Sequence, residues 1–569
     1  MNALKFVVTF SYHQIHHCLQ LLQQLHNYTL AILLFKQNII PKHYVYKLQS
    51  AENQLQQYSP FTIMCFAFVV MMLFHVVMFM LKKVKRCISE YSSLKELMYM
   101  LYLQTSSGKR AFAQAQQDAK AKFNYMFKSS KYKKLEFLDK HQDKDTVLFK
   151  LRDIAKGDNN KANCGKLTGA VYCANSTVKS IASEALDMFV YSNLLHPDIY
   201  TGARFIESQL IKLGLNLFNG KDDSCGLTTS GGTYSILTAV YSYINRGKHM
   251  GITHPNIIVP VTAHAAFLKA AHMFGAECIQ IPLDTKTYKV DINKVKRAIN
   301  RNTVLLVGSC PNFPHGIMDD IEGLSALAIK YKVPLHVDCC LGGFLVAFFQ
   351  RANIKLPKYD FSLPGVTSIS ADLHKYGLCP KGISLLMYSK HEYRKYNYFI
   401  YPHFMGGLYL TPSFDGSRTA GLIAASYAIV ISMGRNHYIA IARAVNAAVV
   451  KVREFIKKEC PLLTIIGEPC ICTVAFTSEK VNYFYDGLSR KGWHVNMILK
   501  PLGCSFVFTS ANVDNVDTFI ADIKDVHTQV MEGTQPELSE STKLYGMTVP
   551  MPEKVAAKSL DTLLDAMLD

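Results

Sequence analysis

The sequence lacks a CxxC pair and any histidine and cysteine cluster at metal-ligand spacing, although it has 15 cysteines among 569 residues. Structural and catalytic metal sites depend on such spacings, so no metal site is predicted. Scattered cysteines are most simply reduced core residues of a cytosolic domain. Internal repeats and long low-complexity segments are also missing, and the length suffices for two or three domains with a large core.

Acidic residues are scarce, with 43 Asp and Glu against 62 Lys and Arg, which gives a net charge of +19. Most of the excess lies in residues 82–166, which hold 20 basic and 9 acidic side chains. Such a run attracts anionic lipid or forms a solvated helical connector, and the sequence leaves both open. No nucleic-acid-binding fold or motif accompanies it, so nucleic acid is not an expected partner.

One long hydrophobic run stands out, FTIMCFAFVVMMLFHVVMFML at residues 61–81, with His75 among 21 residues that include no Asp, Glu, Lys or Arg. About 20 apolar residues span a bilayer, so the run predicts a single transmembrane helix. A buried core helix is disfavoured by the length, and a cleaved signal peptide by the position. The KKVKR that follows at 82–86 places the C-terminal part in the cytosol, leaving residues 1–60 lumenal.

Beyond residue 165, apolar runs alternate with amphipathic stretches, which indicates an α/β fold with a mostly parallel sheet. We predict a basic connector over 82–165, a large domain over 166–433 and a smaller C-terminal α+β domain over 434–569. The clearest strands and helices are predicted at NIIVPV (256–261), TVLLVGSC (303–310), VPLHVDCC (333–340), GVTSISAD (365–372), AHAAFLKAAHMF (263–274) and IEGLSALAIKYK (321–332).

Two candidate site segments follow the earlier predicted strands. TTSGGTYS at 228–235 is a glycine-rich turn that opens a helix, where backbone N–H groups with Ser230 and Thr233 suit a phosphate. It is also an ordinary helix start. His264 follows the next strand and offers a flat ring for stacking on an aromatic group. Taken alone, it is more simply explained as a residue at a helix start.

Two further candidates end later strands. Asp338 closes a strongly apolar strand, where an unpaired carboxylate is costly to bury, so it requires a cation. Its neighbours Cys339 and Cys340 point to opposite faces of a strand and therefore cannot share a metal. Lys375 ends the strand in SISADLHKYGLCPKG, and a desolvated lysine amine can form a Schiff base with an aldehyde.

These four features together match the needs of pyridoxal 5'-phosphate. The cofactor needs a phosphate cradle, a ring-stacking side chain, a carboxylate for its pyridine nitrogen and a lysine for its aldehyde. Each signal alone is modest, but their order along the chain and their places at strand ends favour this cofactor.

The motifs TSGGT (229–233), AHAAF (263–267), FPHG (313–316), PLHVDCCLGGF (334–344) and GVTSISADLHKYG (365–377) resemble the sphingosine-1-phosphate lyase family. That family belongs to the pyridoxal-phosphate enzymes that include glutamate decarboxylase. The resemblance runs from about residue 168 to residue 547. It implies the fold-type I architecture, an endoplasmic reticulum membrane anchor with a cytosolic catalytic domain, and a homodimer with shared active sites.

The resemblance also implies an activity and a set of residue roles. The substrate is a phosphorylated sphingoid base, whose C2–C3 bond breaks to give a fatty aldehyde and phosphoethanolamine. Lys375 carries the cofactor, Asp338 holds its ring nitrogen and His264 stacks on its ring, while Tyr172, His196 and Lys381 engage the substrate phosphate or assist proton transfer. The remaining cofactor contacts implied are Ser230, Gly231, Gly232, Thr233 and His374, with Gly406 and Gly407 reaching the partner's cofactor phosphate.

Some positions depart from the family pattern. Tyr234 stands where the family usually has Glu, and Cys339 where it has Ala, which suggests altered packing next to the cofactor ring. The other departures are Phe404-Met405, Thr419-Ala420, Tyr191 and Leu194. These departures leave a non-catalytic membrane-anchored paralogue open as an alternative. An amino-acid decarboxylase of the same group is a second alternative, which the transmembrane run and the Tyr172, His196 and Lys381 trio disfavour.

Overall fold

The computed structural model describes residues 142–468 and 471–539, together with isolated positions within 102–117 and at 542, 560, 561 and 564. By its contacts the chain divides into two units, Met1–Lys134 with Pro550–Asp569, and Leu135–Val549, and the second contains every element below. The predicted segments 1–60 and 61–81 and most of the connector 82–165 lie outside the described residues. Within the described part of the chain, no helix has both the length and the apolarity needed to cross a membrane.

Helices and strands alternate through the first two thirds of the described chain. The helices are Lys144–Ala162 (α1), Ser176–Met188 (α2), Thr201–Leu217 (α3), Gly232–His249 (α4), Ala266–Phe274 (α5), Ile292–Ala298 (α6), Ile321–Tyr331 (α7), Gly343–Phe349 (α8), His391–Arg394 (α9), Gly421–Glu459 (α10), Val481–Arg490 (α11) and Val516–Glu532 (α12). The strands are Cys225–Thr229 (β1), Asn256–Pro260 (β2), Glu277–Ile281 (β3), Thr303–Ser309 (β4), Leu335–Asp338 (β5), Val366–Ala371 (β6), Ser384–Tyr388 (β7), Phe399–Tyr401 (β8), Tyr409–Thr411 (β9), Thr464–Ile465 (β10), Thr473–Thr477 (β11), Asn496–Ile498 (β12) and Gly503–Val507 (β13).

The predicted strands and helices of the large domain are confirmed, and local capping explains where several helices begin and end. Asp291 accepts backbone N–H bonds at the start of α6, and Asp320 does the same at the start of α7. Gly275 ends α5 in the left-handed conformation that glycine adopts without strain. These side chains satisfy groups that a helix end leaves unpaired.

Seven strands form the large sheet in the order β1-β7-β6-β5-β4-β2-β3. Six run parallel, whereas β7 is antiparallel to both of its neighbours, β1 and β6. The register pairs Thr229, the last residue of β1, with Ser384, the first residue of β7. The mostly parallel sheet predicted from the sequence is therefore confirmed, with one reversed strand. The carboxyl ends of β1, β2, β4, β5 and β6 meet at one edge, where ligands of such folds collect.

Two hydrophobic cores cover the two faces of this sheet. One includes residues of α3, α8 and α10, and the other includes residues of α4 and α5. Strand β4 is buried along its whole length. Next to it, Cys339 belongs to the first core and Cys340 to the second. The two thiols therefore face opposite sides, as the sequence predicted, because successive side chains of an extended chain alternate.

The C-terminal part is built on α10, whose helical path breaks at Gly434, where φ is 64°. A four-stranded antiparallel sheet follows, in the order β10-β11-β13-β12. Its core includes Trp493, whose ring lies edge-on to Phe519 at a centroid distance of 4.7 Å. Leu167 pairs with His494, so the chain just before the large sheet is held by the C-terminal part. The predicted division at residue 434 stays a prediction.

Strands β8 and β9 form a separate two-stranded hairpin. All three residues of β8 are exposed, and the turn between the strands exposes Phe404, Met405 and Leu408. Met405 is 103% exposed. Exposed apolar side chains grouped in this way are typical of contact surfaces.

Candidate active site

A cavity of about 240 Å³ lies at the carboxyl edge of the large sheet. It brings together residues that follow three separate parallel strands, β1, β5 and β6, and His264, which follows β2. These side chains are distant in sequence and meet only because parallel strands deliver their ends to one edge. The cavity is lined by Ser230, Gly231, Gly232, Thr233, Ile236, His264, Cys340, Asp372, His374 and Lys375.

The glycine-rich turn between β1 and α4 forms one wall. Gly231 has a φ of 122°, and an added Cβ there would lie 3.2 Å from the His374 ring. A Cβ on Gly232 would lie 2.7 Å from an Asp372 carboxylate oxygen and 3.0 Å from the Cys340 sulfur. Both positions therefore require glycine. The turn opens an 18-residue helix, whose N-terminal N–H groups and dipole suit a phosphate.

Lys375 lies in the turn that follows β6, and its Nζ is 2.8 Å from Oδ2 of Asp372. Burial alone lowers the pKa of Lys375, but the Asp372 carboxylate outweighs it and holds that pKa above its usual value. The amine is therefore an ammonium group. It must pass a proton to a neighbour before it can bond to a carbonyl carbon.

Asp372 is a site residue that the sequence reasoning missed. Its side chain is 1% exposed, and its Oδ2 also lies 3.4 Å from Nε2 of His374. Among the described residues, no donor makes a hydrogen bond of good geometry to either Asp372 oxygen. The carboxylate is therefore held mainly by its short ion pair with Lys375. Like Asp338, Asp372 is a carboxylate at the end of a buried strand, where it requires a cation, and this position in the sequence could have identified it.

Asp338, at the end of β5, is buried and fits the role of a cation partner. Its Oδ1 accepts hydrogen bonds from the Cys340 backbone N–H at 2.9 Å and from the Ser370 hydroxyl at 3.3 Å. Oδ2 accepts none from the described residues. One oxygen is therefore fixed, and the other keeps its acceptor capacity, although Asp338 itself is not among the residues that line the cavity. A pyridine ring requires such a carboxylate for its protonated nitrogen.

Lys381 and Tyr172 meet beside this cavity. The Lys381 Nζ lies 4.8 Å above the centre of the Tyr172 ring and donates to the His374 carbonyl at 3.4 Å. Burial, and next the nearby Lys375 ammonium, lower the pKa of Lys381. Tyr172 is buried and its ring lies edge-on to Tyr376 at 5.1 Å. An ammonium group and a phenol held together in this way can both donate to a phosphate.

His196 does not join this pair. It is exposed in the turn before α3, and no hydrogen bond or ion pair links its side chain to Tyr172 or Lys381 in the described ranges. Of the predicted trio, only Tyr172 and Lys381 therefore lie together within one chain. Gly406 and Gly407 are likewise exposed in the hairpin turn and do not line the cavity of their own chain.

His264 does line the cavity, as predicted. Its Nδ1 accepts the backbone N–H of Ala266 at 3.1 Å, which fixes the ring at the start of α5. Since Nδ1 accepts a hydrogen bond, a neutral His264 carries its proton on Nε2.

The expected role of Cys339 next to the cofactor ring is wrong. Cys339 is 0% exposed and packs into the core on the other side of the sheet, whereas Cys340 lines the cavity. Burial raises the pKa of the Cys340 thiol, so this group stays protonated. The alternation rule that separated the two cysteines did not say which of them faces the cavity, because that depends on the register of β5.

Tyr234, which replaces the usual glutamate, packs against the loop after the hairpin. Its ring lies edge-on to Phe414 at 5.7 Å, and Phe414 also contacts Tyr241 at 5.0 Å and stacks on Phe274 at 5.7 Å. The missing carboxylate is therefore replaced by an aromatic cluster that holds this loop on α4 and α5.

Comparisons with known proteins agree with this geometry. The family described as "Pyridoxal-dependent decarboxylase conserved domain" matches residues 211–479. The glutamate decarboxylase of Lactobacillus brevis shares the fold, with a TM-score of 0.61 and 19% identity over 72% of this chain and 98% of that chain. The chain thus has the fold and cofactor site of a pyridoxal-phosphate-dependent enzyme of the decarboxylase group.

Closer relatives define the family. Sphingosine-1-phosphate lyase of Saccharomyces cerevisiae is 43% identical over 71% of this chain and 70% of its own length. The structure of the sphingosine-1-phosphate lyase of Burkholderia pseudomallei has a TM-score of 0.67 and 34% identity, covering 69% of this chain and 92% of that chain. The chain belongs to the sphingosine-1-phosphate lyase family.

Proposed function

We propose that this protein is a pyridoxal-phosphate-dependent lyase that cleaves the C2–C3 bond of phosphorylated sphingoid bases. The products are a long-chain aldehyde and phosphoethanolamine. The observation that carries this function is the second cation beside the cofactor site, where Lys381 lies over Tyr172 close to the Lys375 amine. A substrate with its own phosphate needs this extra group, because the cradle at α4 serves the phosphate of the cofactor.

The residues present fit the cofactor. The turn from Ser230 to Thr233 would hold its phosphate and His264 would cover its ring. Asp338, which lies behind the cavity lining, would hold its ring nitrogen through Oδ2, since Oδ1 is already bonded. When bound, pyridoxal phosphate withdraws electrons from the substrate carbon that carries the amine.

The chain's own groups manage protons and orientation around that chemistry. Asp372, 2.8 Å from the Lys375 Nζ, is the nearest acceptor for the proton that the lysine must lose. Lys381 and Tyr172 bind the substrate phosphate and so fix the reacting bond relative to Lys375. Because a pyridoxal site in a decarboxylase acts on a substrate without a phosphate, this pair favours the lyase over the decarboxylase alternative.

The function is tested by supplying the purified protein with a sphingoid base phosphate labelled in its alkyl chain, with and without added pyridoxal phosphate. We expect labelled long-chain aldehyde and an equal amount of phosphoethanolamine, in a cofactor-dependent manner. Release of carbon dioxide from an amino acid, without aldehyde, would instead establish a decarboxylase. A protein that binds the cofactor and yields neither product would be the non-catalytic paralogue.

We further propose that the protein works as a homodimer through the β8–β9 hairpin. The apolar, exposed residues of this hairpin support a protein contact, and Gly406 and Gly407 at its turn would then reach the partner's cofactor phosphate. Met405→Glu should convert a dimer to a monomer in sedimentation experiments, since it places a charge in the contact. The matched control is Met250→Glu, an exposed methionine (61%) just after α4 and outside the hairpin, which should stay dimeric. A wild-type monomer would contradict this assembly.

The proposed placement is the endoplasmic reticulum membrane, with the catalytic part in the cytosol. It is supported by the apolar run at residues 61–81 and the basic residues that follow it. A substrate with a long alkyl chain partitions into bilayers, so an anchored enzyme meets it at the surface. Deleting residues 1–81 should release the protein from salt-washed membranes, and retention of that variant would contradict the anchor.

A further inference from the structure

Behind Asp338, buried polar side chains of β5, β6 and α4 form a continuous hydrogen-bonded row. His336, 0% exposed, lies two residues before Asp338 on β5. Its Nε2 is 3.1 Å from the Ser370 hydroxyl, and its Nδ1 is 2.8 Å from the Ser368 hydroxyl. The Tyr243 hydroxyl of α4 completes the row at 2.9 Å from Ser368. So many buried polar side chains are stable only if each of them makes its hydrogen bonds.

Hydrogen-bond chemistry fixes the direction of the bonds that link Asp338, Ser370, His336 and Ser368. An ionised carboxylate can only accept hydrogen bonds, so the Ser370 hydroxyl donates its single hydrogen to Asp338 Oδ1. Ser370 must then accept from His336, which places the ring proton on Nε2. Nδ1 consequently accepts from Ser368, and Ser368 accepts from Tyr243. The donors from Ser368 to Ser370 therefore point the same way, toward Asp338. The Cys340 thiol also donates to Ser370, at 3.2 Å, and the Tyr243 hydroxyl also lies 2.7 Å from the Thr367 hydroxyl.

We propose that His336 and Ser370 form a one-way relay that keeps Asp338 ionised and aims its free oxygen at the ring nitrogen of the cofactor. His336 is a positioning residue in this relay, because it acts through Ser370 and touches neither cofactor nor substrate. The inference deepens the proposed function and rests on the role given there to Asp338.

The relay has a chemical purpose. A hydrogen bond donated to a carboxylate stabilises its charged form and makes it a weaker base. The proton shared between Asp338 and a pyridine nitrogen therefore stays on the nitrogen, where it makes the ring an electron acceptor. Burial lowers the pKa of His336 to about 4, so the ring stays neutral and keeps both a donor and an acceptor at neutral pH.

The direction of the relay is tested first in the unmodified full-length protein without cofactor. Nitrogen NMR of ¹⁵N-histidine-labelled protein, with His336 identified by the signal missing in His336→Gln, should show a neutral ring protonated on Nε2. A ring protonated on Nδ1, or on both nitrogens at neutral pH, would overturn the inference.

The consequence for the cofactor is tested next with ¹⁵N-labelled pyridoxal phosphate bound to the protein. In Ser370→Ala the ring-nitrogen signal should move toward the unprotonated position and kcat should fall roughly tenfold, the scale of one hydrogen bond to a charged group. Ser370→Thr, which keeps the hydroxyl, should restore both. Ser505→Ala removes a buried strand hydroxyl of β13, which has no hydrogen-bond partner in the described part, and should change neither.

Comparison with Asp338→Asn separates the two possible failures. If Ser370→Ala leaves the ring nitrogen protonated while Asp338→Asn does not, the relay is wrong and the role of Asp338 stands. If both variants leave the nitrogen protonated, Asp338 does not serve the ring, and that part of the proposed function fails together with the inference.

Discussion

Replacing Lys375 with arginine should abolish covalent attachment of pyridoxal phosphate and reduce turnover by more than about 10³-fold, a scale typical of a lost essential group. Arginine keeps the positive charge beside Asp372, 2.8 Å from the lysine Nζ, but its guanidinium does not lose a proton to attack an aldehyde. The measurements are the absorbance of the linked cofactor, borohydride trapping and aldehyde release.

Lys375→Ala removes the same amine but also leaves the Asp372 carboxylate, 1% exposed, without its cation. Breaking such a buried pair costs about 3–5 kcal/mol of folding stability. We therefore expect a lower unfolding temperature for the alanine variant than for the arginine variant, although both are inactive. Normal cofactor linkage or normal turnover in Lys375→Arg would contradict the assignment of Lys375.

The second large effect concerns Lys381. Lys381→Ala should leave cofactor linkage and its absorbance intact but reduce kcat/KM for a sphingoid base phosphate by about 10²-fold, because the substrate phosphate loses a charged donor. The lysine sits over the Tyr172 ring and contacts the main chain at His374, not the cradle at α4. Lys381→Ala should therefore weaken binding of the substrate phosphate without weakening binding of the cofactor phosphate.

The control for Lys381 is Lys390→Ala, an exposed lysine just before α9 that should retain full activity. Lys381→Arg keeps the charge and should recover part of the lost kcat/KM. If Lys381→Ala released the cofactor while Lys375 stayed intact, Lys381 would belong to the cofactor site and not to substrate recognition.

The sequence predicted which residues form the site better than it predicted which of their side chains face one another. Asp338 could be found because it ends an apolar strand, and Lys375 because it closely follows one, where a charged side chain needs a chemical reason. The prediction that Lys375 ends the strand itself is wrong, since β6 ends at Ala371. The cavity confirms that Lys375, His264 and the turn from Ser230 to Thr233 meet at one edge of the sheet. This much follows from the rule that parallel strands bring their carboxyl ends together.

What the sequence could not give depends on tertiary register. Asp372 is three residues from Lys375, but their contact requires the turn after β6 to fold the lysine back. Cys340 rather than Cys339 faces the cavity because of where β5 ends. Ser370 and His336 lie on different strands, and only the pairing of β5 with β6 places Ser370 opposite Asp338. Such contacts across strands leave no local pattern in the chain.

The reversed direction of β7 has a consequence for the spacing of the two amines. Because β7 starts at the edge where β6 ends, a single short connection carries the chain from Lys375 to Lys381 without leaving that edge. A parallel neighbour would have required a crossover to the opposite edge and back. The distance between the Lys375 and Lys381 amines is therefore set by the length of one loop, 372–383. Lengthening or shortening this loop would retune substrate reach while leaving the sheet itself unchanged.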